Sequence, residues 1–186
     1  MTPASKAAEP NSDNGSARLF FALWPEISVR NELAAWQRKL QRGGNARAMR
    51  PWTLHLTLAF LGSTPEDQFG AVKDAAAGAR GKAFEFLLDQ AGYWPHNHIV
   101  WAGCTALAPA LLELQVALAA RLAAAGIAFD VKPFQAHVTL LRDVRTARSE
   151  LPQTIVAWPV REFVLVESKP GTDGSRYEIV ARCPLR

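Results

Sequence analysis

Cysteine is scarce in this chain: two residues, Cys104 and Cys183, among 186. That is too few for a disulfide framework, and neither stands in a zinc-binding spacing. Both read as small buried residues or free thiols of a reducing compartment, without the local cysteine–histidine arrangement of a thiol nucleophile. No apolar run reaches the roughly 18 residues that a membrane span needs. No basic segment followed by an apolar one stands at the N-terminus, so a secretory signal is not expected and a cytoplasmic location is. The acidic residues are scattered, so neither a metal nor a cofactor is expected. The stretch 171–174 (GTDG) reads as a hairpin turn and not a phosphate cradle, because no helix follows it.

What the chain does have is apolar bulk and arginine. About half of it (49%) is hydrophobic, enough for a real core, and the formal charge is +4. Arginine carries much of the positive charge, as at Arg42, Arg47, Arg50, Arg142, Arg145 and Arg148. Such a balance suits a phosphate-bearing partner and equally a solvated basic surface.

Residues 1–16 are polar, small and proline-containing, and read as a disordered tail before a single bilobal domain over 17–186. Order should begin near Arg18 with the strand RLFFALWP. Val29, Leu33, Trp36 and Leu40 fall on one face of a helix that Gly43–Gly44 ends. A strand follows over 53–61. Thr64-Pro65-Glu66-Asp67 resembles a helix start, with Phe69, Val72 and Ala76 on the buried face and Gly81 at the close. Strands are expected over 83–90 and 98–103, a helix over 108–125 ending at Gly126, and strands over 127–131, 136–141, 160–167 and 176–182. The class is α+β with mostly antiparallel pairing, because several connections are too short for crossovers. The segments LHLTLAFL and AHVTLLRD echo each other. Each follows a strand and a helix, and each is followed by a similar apolar strand, FEFLLDQ or EFVLVES, which suggests a duplicated lobe.

The echo carries the chemistry. In a strand, residues i and i+2 share a face. His55 and Thr57 therefore project together while Leu54, Leu56 and Leu58 point the other way. His137 and Thr139 do the same, backed by Ala136, Val138 and Leu140. With 4 histidines and 9 threonines in the chain, chance supplies roughly 0.2 His-x-Thr triplets, and two in apolar strands is rarer still. Two imidazoles facing each other across a groove suit phosphodiester cleavage: one takes the proton of attacking water and the other protonates the leaving oxygen, near an ordinary pKa of about 6.5. Threonine hydroxyls and backbone N–H groups can hold the non-bridging oxygens. No step of this requires a metal.

With these motifs the sequence resembles the 2H phosphoesterase superfamily and, within it, the bacterial and archaeal RNA 2′,3′-cyclic phosphodiesterases, also called 2′-5′ RNA ligases. The likeness runs from about Arg18 to Leu185, through RLFFALWP, LHLTLAFLG, FQAHVTLLR and FVLVESKPGTDGSRYEIVARCPL. The family's proline before the second histidine and alanine after the second leucine are here Ala136 and Leu141. The resemblance implies a bilobal fold of two mostly antiparallel sheets, with helices outside, a central groove and a pseudo-two-fold axis. It implies hydrolysis of an RNA 2′,3′-cyclic phosphate end, or of a cyclic nucleotide, to a 2′-phosphate. His55 would then be the proton donor and His137 the acceptor, Thr57 and Thr139 would bind phosphate, and Arg142 would match an arginine near it. Reverse 2′-5′ ligation is compatible with the same site. A monomer is expected, since one chain supplies both motifs. Two alternatives stay open: a related enzyme acting on 2′-5′ oligoadenylate or a cyclic ADP-ribose phosphate, and a non-catalytic binder of RNA ends.

Other residues are weaker candidates. Phe20 and Phe21 could stack a terminal base, but only one can face away from the core, and Phe21 is assigned that contact. Arg47 and Arg50 could reach RNA phosphates. His96 and His98 lack a third ligand and read as loop or strand-edge residues. Trp52, Trp94, Trp101 and Trp158 read as core or groove wall.

Overall fold

The computed structural model describes residues 15–41, 46–145, 154–171 and 174–186. Most of the expected N-terminal tail (1–14), Arg42, the Gly43–Gly44 helix stop, Arg148 and the middle of the 171–174 turn lie outside the described residues.

The first strand, β1 (Ser16–Leu23), starts two residues before Arg18 because Ser16 already pairs with Pro65. Its apolar residues feed both faces: Leu19, Phe21 and Leu23 enter the main core, whereas Phe20 and Ala22 enter a small cluster on the opposite face. Helix α1 (Ile27–Gln41) then buries Val29, Leu33 and Trp36, each large side chain contributing about 1.5–3 kcal/mol of transfer free energy. Gln37 on this helix is also buried. Its side-chain amide donates to the carbonyls of Met49 (2.8 Å) and Leu140 (2.9 Å), so α1 is tied to both segments that precede and carry the histidine motifs.

After the short strand β2 (Arg47–Ala48), a 3-10 turn over Pro51–Thr53 leads into β3 (Leu56–Pro65), so His55 stands just before the strand rather than within it. The expected helix start at Thr64 is displaced. The strand continues through Pro65, a 3-10 turn covers Glu66–Gln68, and α2 (Phe69–Gly78) ends before Gly81. Pairing with β1 as far as Ser16 outweighs the capping signal. Val72 and Ala76 are buried as expected, with Phe69 packed at the edge of the core.

The remaining elements are β4 (Phe84–Leu88), β5 (Gln90–Trp94), β6 (Ile99–Gly103), α3 (Pro109–Ala124), β7 (His137–Arg142), β8 (Val156–Val160), β9 (Glu162–Lys169) and β10 (Arg176–Pro184). Residues 127–131 form no strand: the Asp130 N–H donates to the Phe60 carbonyl, and Val131 is exposed. β2, β5 and β8 have no counterpart in the sequence reading. β2 is two residues long and β5 is half-buried throughout, whereas β8 buries alternate residues of the wholly apolar run VAWPV, whose period the residue types do not reveal.

All strand pairs described are antiparallel. The two expected sheets are present but unequal: one has eight strands in the order β10-β9-β1-β3-β7-β6-β5, with β2 also on β7, and the other is the two-stranded β4-β8 sheet. The large sheet is two half-sheets joined at one residue pair, Leu56 with Val138. Each is the residue immediately after a motif histidine, so a local two-fold axis passes through the seam. It relates β3 to β7, β1 to β6 and β9 to β5. The strand equivalent to β9 is therefore β5 and not β4, which pairs with β8 instead. Leu56, Val138, Ala102 and Leu23 are all fully buried on the helix-covered face at this seam. No helix among the described residues is long and apolar enough to cross a membrane.

Candidate active site

The seam sets the site. Continuing the Leu56–Val138 register by one residue each way brings His55 opposite Thr139 and Thr57 opposite His137. All four side chains then lie on the face away from the leucine-rich core. Neighbouring strands fix the same positions from outside, with Ala22 beside Thr57, Trp101 beside Thr139 and Gly103 beside His137.

Each imidazole is held in the same way. Nδ1 of His55 lies 2.7 Å from the Thr53 carbonyl, and Nδ1 of His137 lies 2.8 Å from the Gln135 carbonyl. A carbonyl oxygen only accepts, so each Nδ1 carries the hydrogen and each Nε2, on the far side of its ring, is left for chemistry. The sequence builds the first carbonyl locally. Pro51 opens the 3-10 turn, the Thr53 N–H and hydroxyl both donate to the Arg50 carbonyl (2.9 and 2.8 Å), and the Thr53 carbonyl is thereby turned toward His55.

The surroundings of the two rings differ. His55 is stacked on Trp24 (centroids 5.4 Å apart, planes 7° apart), lies 4.9 Å from Phe20 and meets Tyr177 edge-on at 5.3 Å. His137 meets Trp94 edge-on at 4.6 Å. Trp94 leans on Trp101, whose indole lies flat across Gly92 and Gly103. A Cβ on either glycine would sit 2.1 or 2.6 Å from that ring, so only glycine fits under it. Desolvation lowers the pKa of His55 to about 4, against the pull of the Thr53 carbonyl, and the charges of His137 and Arg142 lower it further. His137 is lowered from 6.5 by the same main cause and by Arg142. Arg142, on the strand after His137, is thus close enough for its charge to act on both imidazoles.

The structure brings His55, His137, Thr57, Thr139 and Arg142 together. It does not bring Phe21, which is a correction to the sequence reading. Phe21 is 0% exposed, packed on Phe163 in the core, and cannot touch a base. Phe20 is the one on the site face, but it is only 3% exposed and is covered by His55 and Tyr177, so it shapes the histidine's pocket. A signal for this exists in the sequence. Phe20 shares its parity with Arg18, whose guanidinium carbon sits 5.5 Å from the Phe60 ring on that same face. Trp24 and Tyr177 are site residues that sequence reasoning does not reach, because nothing in the sequence brings β10 beside the first motif.

Among the other candidates, Arg47 pairs with Asp143 at 3.2 Å. His98 contacts the Tyr93 hydroxyl at 3.2 Å, and that hydroxyl donates to the Val144 carbonyl. Trp158 is core, whereas Trp52 is 60% exposed and stands in the wall of a cavity. No group of three or more metal-ligating side chains occurs among the described residues.

The LigT-like phosphoesterase family matches residues 23–101. The RNA 2′,3′-cyclic phosphodiesterase of Escherichia coli strain K12 is 32% identical over 170 residues, covering 90% of this chain and 96% of that protein. The RNA 2′,3′-cyclic phosphodiesterase of Thermus thermophilus is 33% identical over 182 residues, covering 91% of this chain and 90% of that protein. The crystal structure of E. coli LigT in its apo form superposes with a TM-score of 0.85 at 31% identity, over 92% of this chain and 98% of that one. With two His-x-Thr motifs meeting at one seam and this similarity along most of its length, the chain belongs to the LigT-like phosphoesterase family.

Proposed function

We propose that this chain hydrolyses RNA 2′,3′-cyclic phosphate ends to 2′-phosphomonoesters, as the names of its relatives suggest. The observation that carries the proposal is the antiparallel meeting of the two His-x-Thr motifs, each imidazole with its Nδ1–H held by backbone and its Nε2 available. In the reaction water attacks phosphorus in line with the 3′ oxygen. His137 Nε2 takes the water proton, the P–O3′ bond breaks, and His55 Nε2–H protonates the departing oxygen. Thr57, Thr139 and Arg142 hold the non-bridging oxygens as charge builds on them.

In the free chain His55 resists protonation. The anionic phosphate supplies the field that charges it, with Trp24 and Phe20 presenting ring faces toward the cation. A donor that holds its proton reluctantly releases it readily, which suits His55 to the acid role. Proton traffic and charge stabilisation are both met by side chains, so we infer turnover without a divalent metal. Because the roles exchange in the reverse direction, 2′-5′ ligation is open to the same groups. We further take residues 17–186 as one bilobal unit that acts as a cytoplasmic monomer, since both motifs come from a single chain.

The test is incubation with an oligonucleotide bearing a 2′,3′-cyclic phosphate, in EDTA, with the product end identified. A 2′-phosphate is expected. A requirement for divalent metal, or binding with no conversion over long incubation, would overturn the proposal.

A further inference from the structure

A cavity of about 400 Å³ opens next to residues that contact His55, on the side of the first half-sheet. Its wall includes Arg50, Trp52 and Thr53 from the turn before His55, and Ser175, Arg176 and Tyr177 from the start of β10. Two of these residues belong to the active site as well: the Thr53 carbonyl holds His55, and the Tyr177 ring meets it edge-on. The cavity therefore shares two of its wall residues with the surroundings of His55. Among the described residues its lining includes two guanidinium groups and no carboxylate. Trp52 stands at its edge, 60% exposed. An indole left this open on a rigid proline-started turn gains little from folding. It is placed as a stacking platform, because every nucleobase offers a π-face to an aromatic ring.

From this placement we propose that the cavity is a subsite for the nucleotide on the 5′ side of the cyclic end, with its base against Trp52 and its phosphodiester between Arg50 and Arg176. The inference rests on the phosphodiesterase reading and adds to it a substrate class: oligonucleotide ends are preferred over free cyclic mononucleotides. Arginine suits the phosphodiester because its planar fork pairs with two oxygens. The volume is right for one nucleotide unit and too small for a duplex. The preference is thus for a single-stranded end, with no helix required.

The test compares kcat/KM for a 2′,3′-cyclic mononucleotide and for a dinucleotide ending in the same cyclic nucleotide. In the parent protein the dinucleotide is expected to be the better substrate, with a KM that rises more steeply with salt because it makes one more phosphate contact. Trp52→Ala and Arg176→Ala should each lower the ratio of the two kcat/KM values about tenfold, and Trp52→Phe should keep most of it. Equal kcat/KM for both substrates in the parent overturns the subsite. So does an equal loss on both in Trp52→Ala, which would assign the indole to the terminal base instead. Turnover of neither substrate is a failure of the phosphodiesterase reading. The subsite is then still decided by calorimetric binding of the 2′-phosphate dinucleotide against the 2′-phosphate mononucleotide. Tighter dinucleotide binding that Trp52→Ala weakens about tenfold supports it, and equal binding refutes it.

Discussion

The two halves of the sheet carry the same triplet, the same Nδ1-to-carbonyl bond and the same apolar backing, yet they set their histidines in different surroundings. His55 is enclosed by three aromatic rings contributed by β1, the segment after it and β10. His137 leans on Trp94 and is the more open of the two. A perfect two-fold site would have interchangeable imidazoles. Here the fold repeats what aims the nitrogen and varies what surrounds it, so the proposed division into acid and base would be set by the neighbours and not by the motif.

The strongest way to break the comparison is to delete one partner at a time. His55→Ala and His137→Ala are each expected to lower kcat by about 10²–10⁴-fold, with unchanged far-ultraviolet circular dichroism. The double variant should be barely worse than either, since the two act as a unit. Near-full activity in one variant would mean that one half works alone.

The next effect lies in stability against pH. Both histidines have folded pKa values below their unfolded value of about 6.5, so below that pH the unfolded chain binds more protons. Their contribution is intact above pH 6.5 and declines as the pH falls toward about 4, where His55 takes its proton. The loss from His55 is on the order of 2–3 kcal/mol. Denaturant midpoints at pH 7 and pH 4.5 measure it, and His55→Gln should shrink the difference more than His137→Gln. A flat profile in the parent would contradict the burial of the first imidazole.

Smaller effects sharpen the comparison. Gln37→Leu removes the bonds from α1 to Met49 and Leu140, at a cost of about 1–2 kcal/mol in chemical denaturation. Because Leu140 lies on β7, the loosening should be felt at His137 before His55, as broadened His137 resonances. Trp24→Ala should raise the titration midpoint of His55 from about 4 toward 6.5, followed by NMR, while leaving that of His137 in place. A parallel shift in both would show that the rings titrate as one coupled pair.

Most of the site is legible in the sequence because it is local. His-x-Thr in an apolar run fixes which face each side chain takes, and the duplication supplies the second half. Helices α1 and α3 are readable from their buried stripes and from Gly126. Three things resist. The single-pair seam is a long-range fact between Leu56 and Val138 that no local pattern carries. In the RLFFAL run only Arg18 marks the parity, and the five apolar residues after it do not alternate, so the reading settles on Phe21 where Phe20 faces the site. Tyr177 reaches His55 only because β10 packs through β9 onto β1, a topology that alternation in β10 cannot foretell.

The carbonyls that hold the two imidazoles have a consequence of their own. In many acid–base sites the group behind the histidine is a carboxylate, a side chain that a single codon change can delete and that anchors positive charge on the ring. Here that group is the peptide itself, two residues upstream in each case. No amino-acid replacement at Thr53 or Gln135 can remove it. The acceptor that sets each tautomer therefore survives a side-chain change at these positions, and at Thr53 such a change acts only on how that acceptor is aimed. Being uncharged, the carbonyl also anchors no positive charge on the ring as a carboxylate would.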